Sequence, residues 1–148
     1  LLSAWPDVHP AMIWLATTDA DSQVPRDWLT VQLEAHRSGS DLWAGRVRVA
    51  EQSAVVRQWS EAYAIERRPI HGANLGFSGS LYEHIGGFRG LRSGEDRDFH
   101  RRAVAAGFRA TYDLRAAVTT SARRRGRAPG GFAGVLGDVE EQQLEASA

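Results

Sequence analysis

The sequence predicts an α/β fold, in which helices flank a sheet. The apolar run at residues 12–17 predicts a buried strand. Residues 25–36 place Leu29 and Leu33 on one helical face and end at a Ser-Gly-Ser stop, so they predict a helix. Residues 42–49 alternate between apolar and polar side chains towards their end, which predicts a half-exposed strand. Strand, helix and strand in this order are typical of α/β proteins.

Composition limits the classes of function that remain. A length of 148 residues fits a single domain, taken as residues 1–148, and an apolar content of 43% is that of a globular protein. Every apolar run is far shorter than the ~20 residues that cross a membrane, so no transmembrane segment is expected. The absence of cysteine excludes disulfides, thiolate metal sites and a cysteine nucleophile. A formal net charge of zero gives no overall attraction to nucleic acid or to an anionic membrane.

Two carboxylates one residue apart, Asp19 and Asp21, follow the first predicted strand directly. Open α/β sheets bind their ligands at the carboxyl edge of the strands, where this pair is expected to lie. An Asp-x-Asp pair there can hold one hard divalent cation against the phosphate oxygens of a ligand. The alternative is a plain strand-to-helix connection, because Asp and Ser are common in turns and Pro25 suits the first turn of a helix.

Two other metal or phosphate motifs do not fit these aspartates. A calcium-binding EF-hand loop that began at Asp19 requires glycine at Val24 and glutamate at Thr30. A phosphatase with a D-x-D-x-T motif requires threonine at Gln23. Neither class is therefore predicted.

Residues 71–77 form a segment too rich in glycine for an ordinary central strand. Gly72 permits close approach of a ligand to the main chain, and Asn74 offers both a donor and an acceptor. Ser80 then begins an S-x-x-E pattern that predicts a capping box and a short helix, which the Gly86-Gly87 pair ends.

Glu95 and Asp96 are predicted in the first turn of the most strongly helical stretch, capped by Ser93 and ended by Gly107. Its predicted apolar stripe consists of Phe99, Ala103 and Ala106. The helix macrodipole stabilises ionised carboxylates at this position. Acidic residues in a first turn are also ordinary structural features, and that alternative stays open for the motif in isolation.

The other predicted elements are a helix at residues 53–65, strands at residues 108–112 and 117–120, a basic loop at residues 123–131 and a final helix from residue 131. The basic loop carries Arg123, Arg124, Arg125 and Arg127. It is suited to bind phosphate or nucleic acid, or to be a solvated turn. Nucleic acid is the weaker alternative because no interleaved aromatic residues accompany the arginines.

Taken in order, these segments resemble the family 2 glycosyltransferases of the GT-A fold over about residues 11–121. The resemblance rests on Thr18-Asp19-Ala20-Asp21-Ser22, Gly72-Ala73-Asn74-Leu75-Gly76-Phe77, Ile85-Gly86-Gly87-Phe88, Gly94-Glu95-Asp96 with Phe99 and Arg102, and Ala105-Ala106-Gly107-Phe108. It implies a partial GT-A-type, Rossmann-like mixed sheet flanked by helices. It also implies a nucleotide-sugar donor and a hydroxyl acceptor.

The resemblance also implies a role for each matching residue. Asp19 and Asp21 would hold Mg²⁺ or Mn²⁺ against the donor diphosphate. Asp96 would be the general base that deprotonates the acceptor hydroxyl, with Glu95 beside it in the site. The residues assigned to the donor sugar and leaving group are Gly72, Ala73 and Asn74, and Arg123, Arg124, Arg125 and Arg127 are assigned as cation contacts to the diphosphate.

Members of that family begin with βαβ units that bind the nucleotide, whereas the metal-bearing strand here begins at about residue 12. We therefore expect the C-terminal portion of such an enzyme, poorly active alone, with an exposed sheet edge that favours a homo-oligomer. A cytoplasmic location is expected because no signal peptide is recognised and nucleotide sugars are made there. Two alternatives are a non-catalytic remnant acting as a binding or assembly module, and a nucleotidyltransferase, although no glycine-rich phosphate loop is present near the start.

Overall fold

A computed structural model describes residues 7–50 and 68–121 of the chain. The strands are β1 (Trp14–Thr17), β2 (Leu42–Val49), β3 (Leu75–Ser78) and β4 (Ala110–Thr120), and the helices are α1 (Trp28–Arg37), α2 (Gly79–His84) and α3 (Glu95–Ala105). Single 3-10 turns, Pro10–Met12 and Gly72–Asn74, precede β1 and β3. The predicted mixed α/β class is confirmed.

The four strands form one sheet in the order β1-β3-β2-β4. Strand β3 is antiparallel to both of its neighbours, and β2 and β4 are parallel. Strands β1, β2 and β4 therefore run in the same direction, and their carboxyl ends meet at one edge of the sheet. The Asp-x-Asp segment follows β1 at that edge.

Two hydrophobic clusters cover the two faces of the sheet. On one face, helices α2 and α3 pack phenyl and aliphatic side chains, which we call the phenyl face: Leu42, Ala44, Leu75, Phe77, Leu81, Phe99 and Ala103. On the other face, helix α1 packs against two buried indoles and small aliphatic groups, which we call the indole face: Trp28, Val31, Trp43, Ala116 and Val118.

The first strand and the first helix differ from their predicted form. Strand β1 begins at Trp14 rather than at residue 12, because the preceding 3-10 turn is capped by the His9 ring and leaves Met12 82% exposed. Its residues are half-buried rather than buried. Helix α1 turns Trp28, Val31 and Gln32 inward and leaves Leu29 50% exposed, so the predicted Leu29–Leu33 face is wrong.

The glycine-rich segment contains a central strand, which contradicts the prediction. Strand β3 lies between β1 and β2 and is buried along its whole length. A Cβ atom at Gly76 would lie 2.2 Å from Gln32 Oε1 and 2.8 Å from the Trp14 indole. Glycine at this position makes room for two large side chains of the indole face, which is why it stands inside a strand.

Helices α2 and α3 are capped by residues other than those predicted. The N-cap of α2 is Ser78, whose hydroxyl accepts a hydrogen bond from the Leu81 N–H at 3.2 Å, so the predicted capping box at Ser80 is wrong. Helix α3 begins after Gly94, which has a left-handed φ of 75° and no side chain to cap the helix. The predicted helix ends are confirmed, since Gly86 and Gly107 both have positive φ just after α2 and α3.

The last two predicted strands are one. Strand β4 is continuous, but its pairing with β2 is interrupted by a bulge. Gly45 pairs with Asp113 and Val47 with Val118, so residues 114–117 of β4 lie opposite Arg46 alone. Strand β2 has the predicted bounds, although its first half is buried on both faces. The predicted helix at residues 53–65, the basic loop and the final helix lie outside the described residues. Within the described residues, no helix is long and apolar enough to cross a membrane.

Candidate functional site

The Asp-x-Asp turn is fixed at both ends by backbone hydrogen bonds. Before it, Thr17 pairs with Leu75 in the sheet. Within it, the Ser22 N–H donates to the Asp19 carbonyl at 3.1 Å. After it, the amides of Gln23 and Thr119 each donate to the other's carbonyl, at 2.7 Å and 2.9 Å. The turn therefore crosses the carboxyl edge from β1 to the end of β4, with its two aspartates exposed.

The second predicted acidic pair begins helix α3. Glu95 is exposed and Asp96 is half-buried, and both lie in the first turn of the helix. The backbone N–H groups of a first helical turn have no acceptor within the helix, so they can donate to side-chain oxygens. Asp96 Oδ1 accepts a hydrogen bond from the Arg97 N–H at 2.7 Å, and Asp96 Oδ2 accepts one from the Gly72 N–H at 3.0 Å.

The two acidic pairs are close enough to interact electrostatically. Although the Asp19 residue is exposed, the surrounding protein removes enough water to raise the pKa of its carboxyl above the ordinary value. Three other carboxylates raise the pKa further through their negative charge, namely those of Asp21, Asp96 and Glu95. The charges of Glu95 and Asp96 thus act on Asp19 although these residues are more than 70 positions away in the chain.

Gly72 lies between the two acidic pairs. Its carbonyl accepts a hydrogen bond from the Thr17 hydroxyl at 2.7 Å, and its N–H is the donor to Asp96. A Cβ atom on Gly72 would lie 3.9 Å from the Asp96 Cβ, which is an ordinary contact. The main-chain groups of Gly72, rather than its lack of a side chain, therefore connect the end of β1 with helix α3.

Three of the four hydrogen-bonding directions of the Asn74 side-chain amide are engaged within the protein. Its Oδ1 accepts from the Trp28 indole N–H at 2.8 Å, and its Nδ2 donates to the carbonyls of Arg46 at 2.7 Å and Ala116 at 2.9 Å. The side chain is 0% exposed, and Ala73 beside it is 7% exposed. Because the side chain is fully buried, its surface is not accessible to a ligand in this structure. What the side chain does in this structure is fix the Gly72–Asn74 turn against both α1 and the sheet.

Hydrogen bonds from Arg102 attach helix α3 to the turn after α2, and Asp98 on the same helix holds the Arg102 side chain. The Asp98 carboxylate is 7% exposed and accepts hydrogen bonds from Arg101 at 2.6 Å and Arg102 at 2.7 Å. The hydrogen bond from Arg102, and then the one from Arg101, hold the pKa of Asp98 below its ordinary value. Arg102 also donates to the carbonyls of Ile85 at 2.6 Å and Gly87 at 2.7 Å. This set of bonds fixes the helix that carries Glu95 and Asp96.

His100 lies one helical turn beyond Asp96 on α3 and contacts Tyr112 of β4. The His100 Nε2 atom is hydrogen-bonded to the Tyr112 hydroxyl, and the Arg68 guanidinium lies 5.6 Å from the centre of the Tyr112 ring. Burial lowers the pKa of His100, and the positive charge of Arg68 lowers it further. His100 lies on the same helical face as Asp96, because the two are four residues apart.

The donor set fits a hard divalent cation only in part. Carboxylate oxygens are the ligands that Mg²⁺ and Mn²⁺ prefer, and Mg²⁺ is commonly held by one or two carboxylates together with the phosphate oxygens of a substrate. Within residues 7–50 and 68–121, no three His, Asp or Glu side chains are arranged as a complete metal site. Asp19 and Asp21 by themselves therefore do not form a complete metal site within the described residues.

A cleft of about 410 Å³ lies elsewhere, between α1 and β4. Arg115 donates to the Asp113 carboxylate there at 2.7 Å and lies 3.7 Å from Glu34. None of the predicted site residues lines this cleft. The cleft is thus a second surface with acidic side chains, and it is separate from the Asp-x-Asp turn.

Several groups that support the site carry no recognisable signal in the sequence, above all Thr17, Trp28 and the Gln23–Thr119 pair. Their partners lie far away in the chain, as for Thr17 and Gly72, which are 55 positions apart. The predicted substrate contacts Arg123, Arg124 and Arg125 lie outside the described residues. No protein-family model and no curated protein matches the chain.

Proposed function

We propose that the chain carries the metal-binding and acceptor-activating part of a glycosyltransferase of family 2 and GT-A type. In this proposal Asp19 and Asp21 hold Mg²⁺ or Mn²⁺ against the diphosphate of a nucleotide-sugar donor. Asp96 acts as the general base for an acceptor hydroxyl. The observation that carries the proposal is the position of the two acidic pairs near the carboxyl edge of the sheet, linked by the hydrogen bonds of Gly72 to Thr17 and Asp96. The raised pKa of the Asp19 carboxyl, to which burial and then the other three carboxylates contribute, agrees with this arrangement.

The mutual repulsion of these carboxylates supports a cation site. Bringing like charges together costs free energy, and a bound cation offsets that cost. The cation, when bound, would also neutralise the charge that develops on the leaving diphosphate. The fixed ends of the turn support the same role, because the backbone of Asp19 and Asp21 is already held in place by Ser22, Gln23 and Thr119.

Asp96 is better placed than Glu95 to act as the base. Both of its oxygens accept a backbone hydrogen bond, which fixes the orientation of the carboxylate. Each carboxylate oxygen has two lone pairs, so each keeps one that can accept the proton of an acceptor hydroxyl. Its half-buried position leaves it open to a ligand.

The proposed transfer step has a complete balance of bonds and protons. The acceptor oxygen forms a bond to the anomeric carbon while the bond from that carbon to the diphosphate breaks. The acceptor proton passes to Asp96, and the nucleoside diphosphate leaves with the bonding electron pair. Attack from the side opposite the leaving group inverts the anomeric centre.

The predicted arginine contacts come soon after β4 in the sequence, and the end of β4 pairs with the segment beside the Asp-x-Asp turn. Thr119, which pairs with Gln23 next to the Asp-x-Asp turn, precedes Arg123 by four residues. A guanidinium forms strong paired hydrogen bonds with phosphate oxygens. Arg123, Arg124 and Arg125 are therefore proposed as contacts to the diphosphate.

Calorimetric titration with UDP and GDP, each with and without Mn²⁺, tests the proposal. We expect binding that requires Mn²⁺ and that weakens at least tenfold in Asp21→Asn, which removes one charge at constant size. Glu83→Gln is the matched control, because Glu83 is an exposed carboxylate on α2, which packs against the turn before β1 at the other end of the sheet.

Binding that persists in the presence of a chelator, or that Asp21→Asn leaves unchanged, would contradict the proposal. Failure of a folded wild-type chain to bind either nucleotide would favour the alternative, in which the chain is a non-catalytic remnant that acts as a binding or assembly module. Circular dichroism of each variant shows whether the chain is folded and so separates loss of the site from loss of the fold.

A further inference from the structure

Two hydrogen bonds that meet at Gly72 connect the metal-bearing turn with the proposed base. The Thr17 hydroxyl, two residues before Asp19, donates to the Gly72 carbonyl at 2.7 Å. The Gly72 N–H donates to Asp96 Oδ2 at 3.0 Å. The position of Gly72 therefore depends on Thr17, and the orientation of the Asp96 carboxylate depends on Gly72.

The other end of the same turn is held rigidly. Gly72 begins the 3-10 turn Gly72–Asn74, and the Asn74 amide makes three hydrogen bonds to α1, β2 and β4. The Asn74 N–H also donates to the His71 carbonyl at 2.9 Å. With Asn74 fixed, the Thr17 hydroxyl is the side-chain group that sets how the Gly72 peptide units face helix α3.

Packing at this strand position does not by itself require the Thr17 hydroxyl. Any β-branched residue satisfies a half-buried strand position, so valine or isoleucine would serve for packing alone. The hydroxyl adds a donor whose partner is a main-chain carbonyl from a distant segment. A valine at this position would keep the shape and would leave the Gly72 carbonyl without that donor.

We propose that Thr17 is a positioning residue for the general base. It fixes the Gly72 peptide units so that the Gly72 N–H holds Asp96 at a set distance and angle from the Asp19–Asp21 turn. The inference rests on the proposed function, because it takes Asp96 as the base. It also assigns to Gly72 a main-chain role, which a Gly72→Ala variant would retain.

Hydrogen exchange of the Gly72 amide, measured by NMR, tests the inference in the full chain. We expect exchange at least tenfold faster in Thr17→Val than in the wild type, and near wild-type exchange in Thr17→Ser, which restores the hydroxyl. The Ser78 amide, which donates to the Asp41 carbonyl at 2.9 Å, is the internal reference for the stability of the whole sheet. Asp96→Ala, which removes the acceptor, should also speed exchange at Gly72 and leave Ser78 unchanged.

A hydroxyl that only stabilises the fold would give a different result. It would speed exchange at Gly72 and Ser78 by the same factor, and that outcome would overturn the inference, as would an unchanged Gly72 amide in Thr17→Val. Should Thr17→Val fail to fold, the same comparison is made between Thr17→Ala and Thr17→Ser.

The nucleotide titration separates this inference from the proposed function. Thr17→Val keeps Asp19 and Asp21, so we expect its Mn²⁺-dependent affinity for UDP or GDP to stay within threefold of the wild type. If the wild type shows no metal-dependent binding but Gly72 exchange still responds to Thr17→Val, the proposed function alone is overturned. Normal binding with Gly72 exchange insensitive to Thr17 would overturn the positioning role alone.

Discussion

The two faces of the sheet are built from different kinds of contact. On the phenyl face, Phe77, Phe88 and Phe99 pack with ring centres 4.4–5.7 Å apart. On the indole face, the buried amides of Gln32 and Asn74 accept hydrogen bonds from tryptophan indoles at 2.9 Å and 2.8 Å. Packing contacts are non-directional, whereas hydrogen bonds fix an angle as well as a distance. The phenyl face therefore stabilises the fold mainly by packing, whereas the indole face adds hydrogen bonds that fix the orientation of side chains.

The position of the candidate site follows from this difference. Asn74, anchored on the indole face, ends the turn whose first residue orients Asp96. Helix α3, anchored on the phenyl face through Phe99 and Ala103, carries Asp96. The proposed base is therefore held by both faces, and substitutions on each face should affect the protein in distinguishable ways.

The largest effect is expected from Phe99→Ala on the phenyl face. The ring is 0% exposed, and its removal should lower the free energy of unfolding by about 3–5 kcal/mol through lost burial and a cavity. Urea denaturation measures the change. Leu114→Ala is the control, because Leu114 is 54% exposed and its truncation should change stability by less than about 0.5 kcal/mol. Similar losses at the two positions would contradict this description of the core.

A somewhat smaller effect is expected from Asn74→Ala on the indole face. The change leaves the Trp28 indole N–H and the Ala116 carbonyl buried without their partner, which should cost about 2–4 kcal/mol of unfolding free energy. Trp28→Phe removes only the indole donor. Since the two residues share a hydrogen bond, the double variant should lose less than the sum of the single losses. Simple additivity would show that the bond contributes nothing.

Asp98→Asn should make the stability less sensitive to acid. The Arg102 and Arg101 hydrogen bonds lower the pKa of Asp98 in the folded state. Its contribution is therefore complete above the ordinary pKa of an aspartate in the unfolded chain, and it is lost as the pH falls through the lower folded pKa. Unfolding free energies measured between about pH 2 and pH 7 should fall less steeply for the variant. An unchanged slope would contradict the role of the ion pairs.

The smallest effect, of opposite sign, is expected from Asp19→Asn. The folded pKa of Asp19 is raised by partial burial and by three carboxylates, so the ionised group destabilises the fold at neutral pH and the protonated group does not. The variant should be more stable than the wild type at pH 7, by at most about 1 kcal/mol because the residue is exposed, and the difference should vanish in acid. Thermal unfolding at pH 3 and pH 7 measures both. A destabilised variant at pH 7 would indicate that Asp19 has a structural role.

The parts of the fold that the sequence predicted depend on local patterns. Alternating apolar and polar residues predict the bounds of β2, and glycines that can adopt a left-handed φ predict the ends of α2 and α3. Both patterns lie within a few residues of the feature that they predict. Strand β3 was not recognised as a strand because Gly76 serves the Trp14 and Gln32 side chains, which come from other segments. A glycine selected for a distant neighbour looks the same in the sequence as one selected for its own backbone.

The candidate site divides in the same way. The four acidic residues stood out because each pair lies at the boundary of a recognisable element, and the other three raise the pKa of the Asp19 carboxyl. The groups that orient them did not stand out. Thr17 reaches Gly72 across 55 positions and Trp28 reaches Asn74 across 46, and no local pattern marks a hydrogen bond of that span.

Paramagnetic broadening by Mn²⁺ tests the central claim most directly. Titrated into the ¹⁵N-labelled chain with UDP or GDP, Mn²⁺ should first broaden the amide resonances of Asp19, Asp21 and Gly72 and of the first turn of α3. The resonances of Glu34 and Asp113, beside the other acidic surface, should stay sharp, and Asp21→Asn should abolish the selective broadening. Broadening that begins at Glu34 and Asp113, or that is uniform across the chain, would contradict a cation site at the Asp-x-Asp turn.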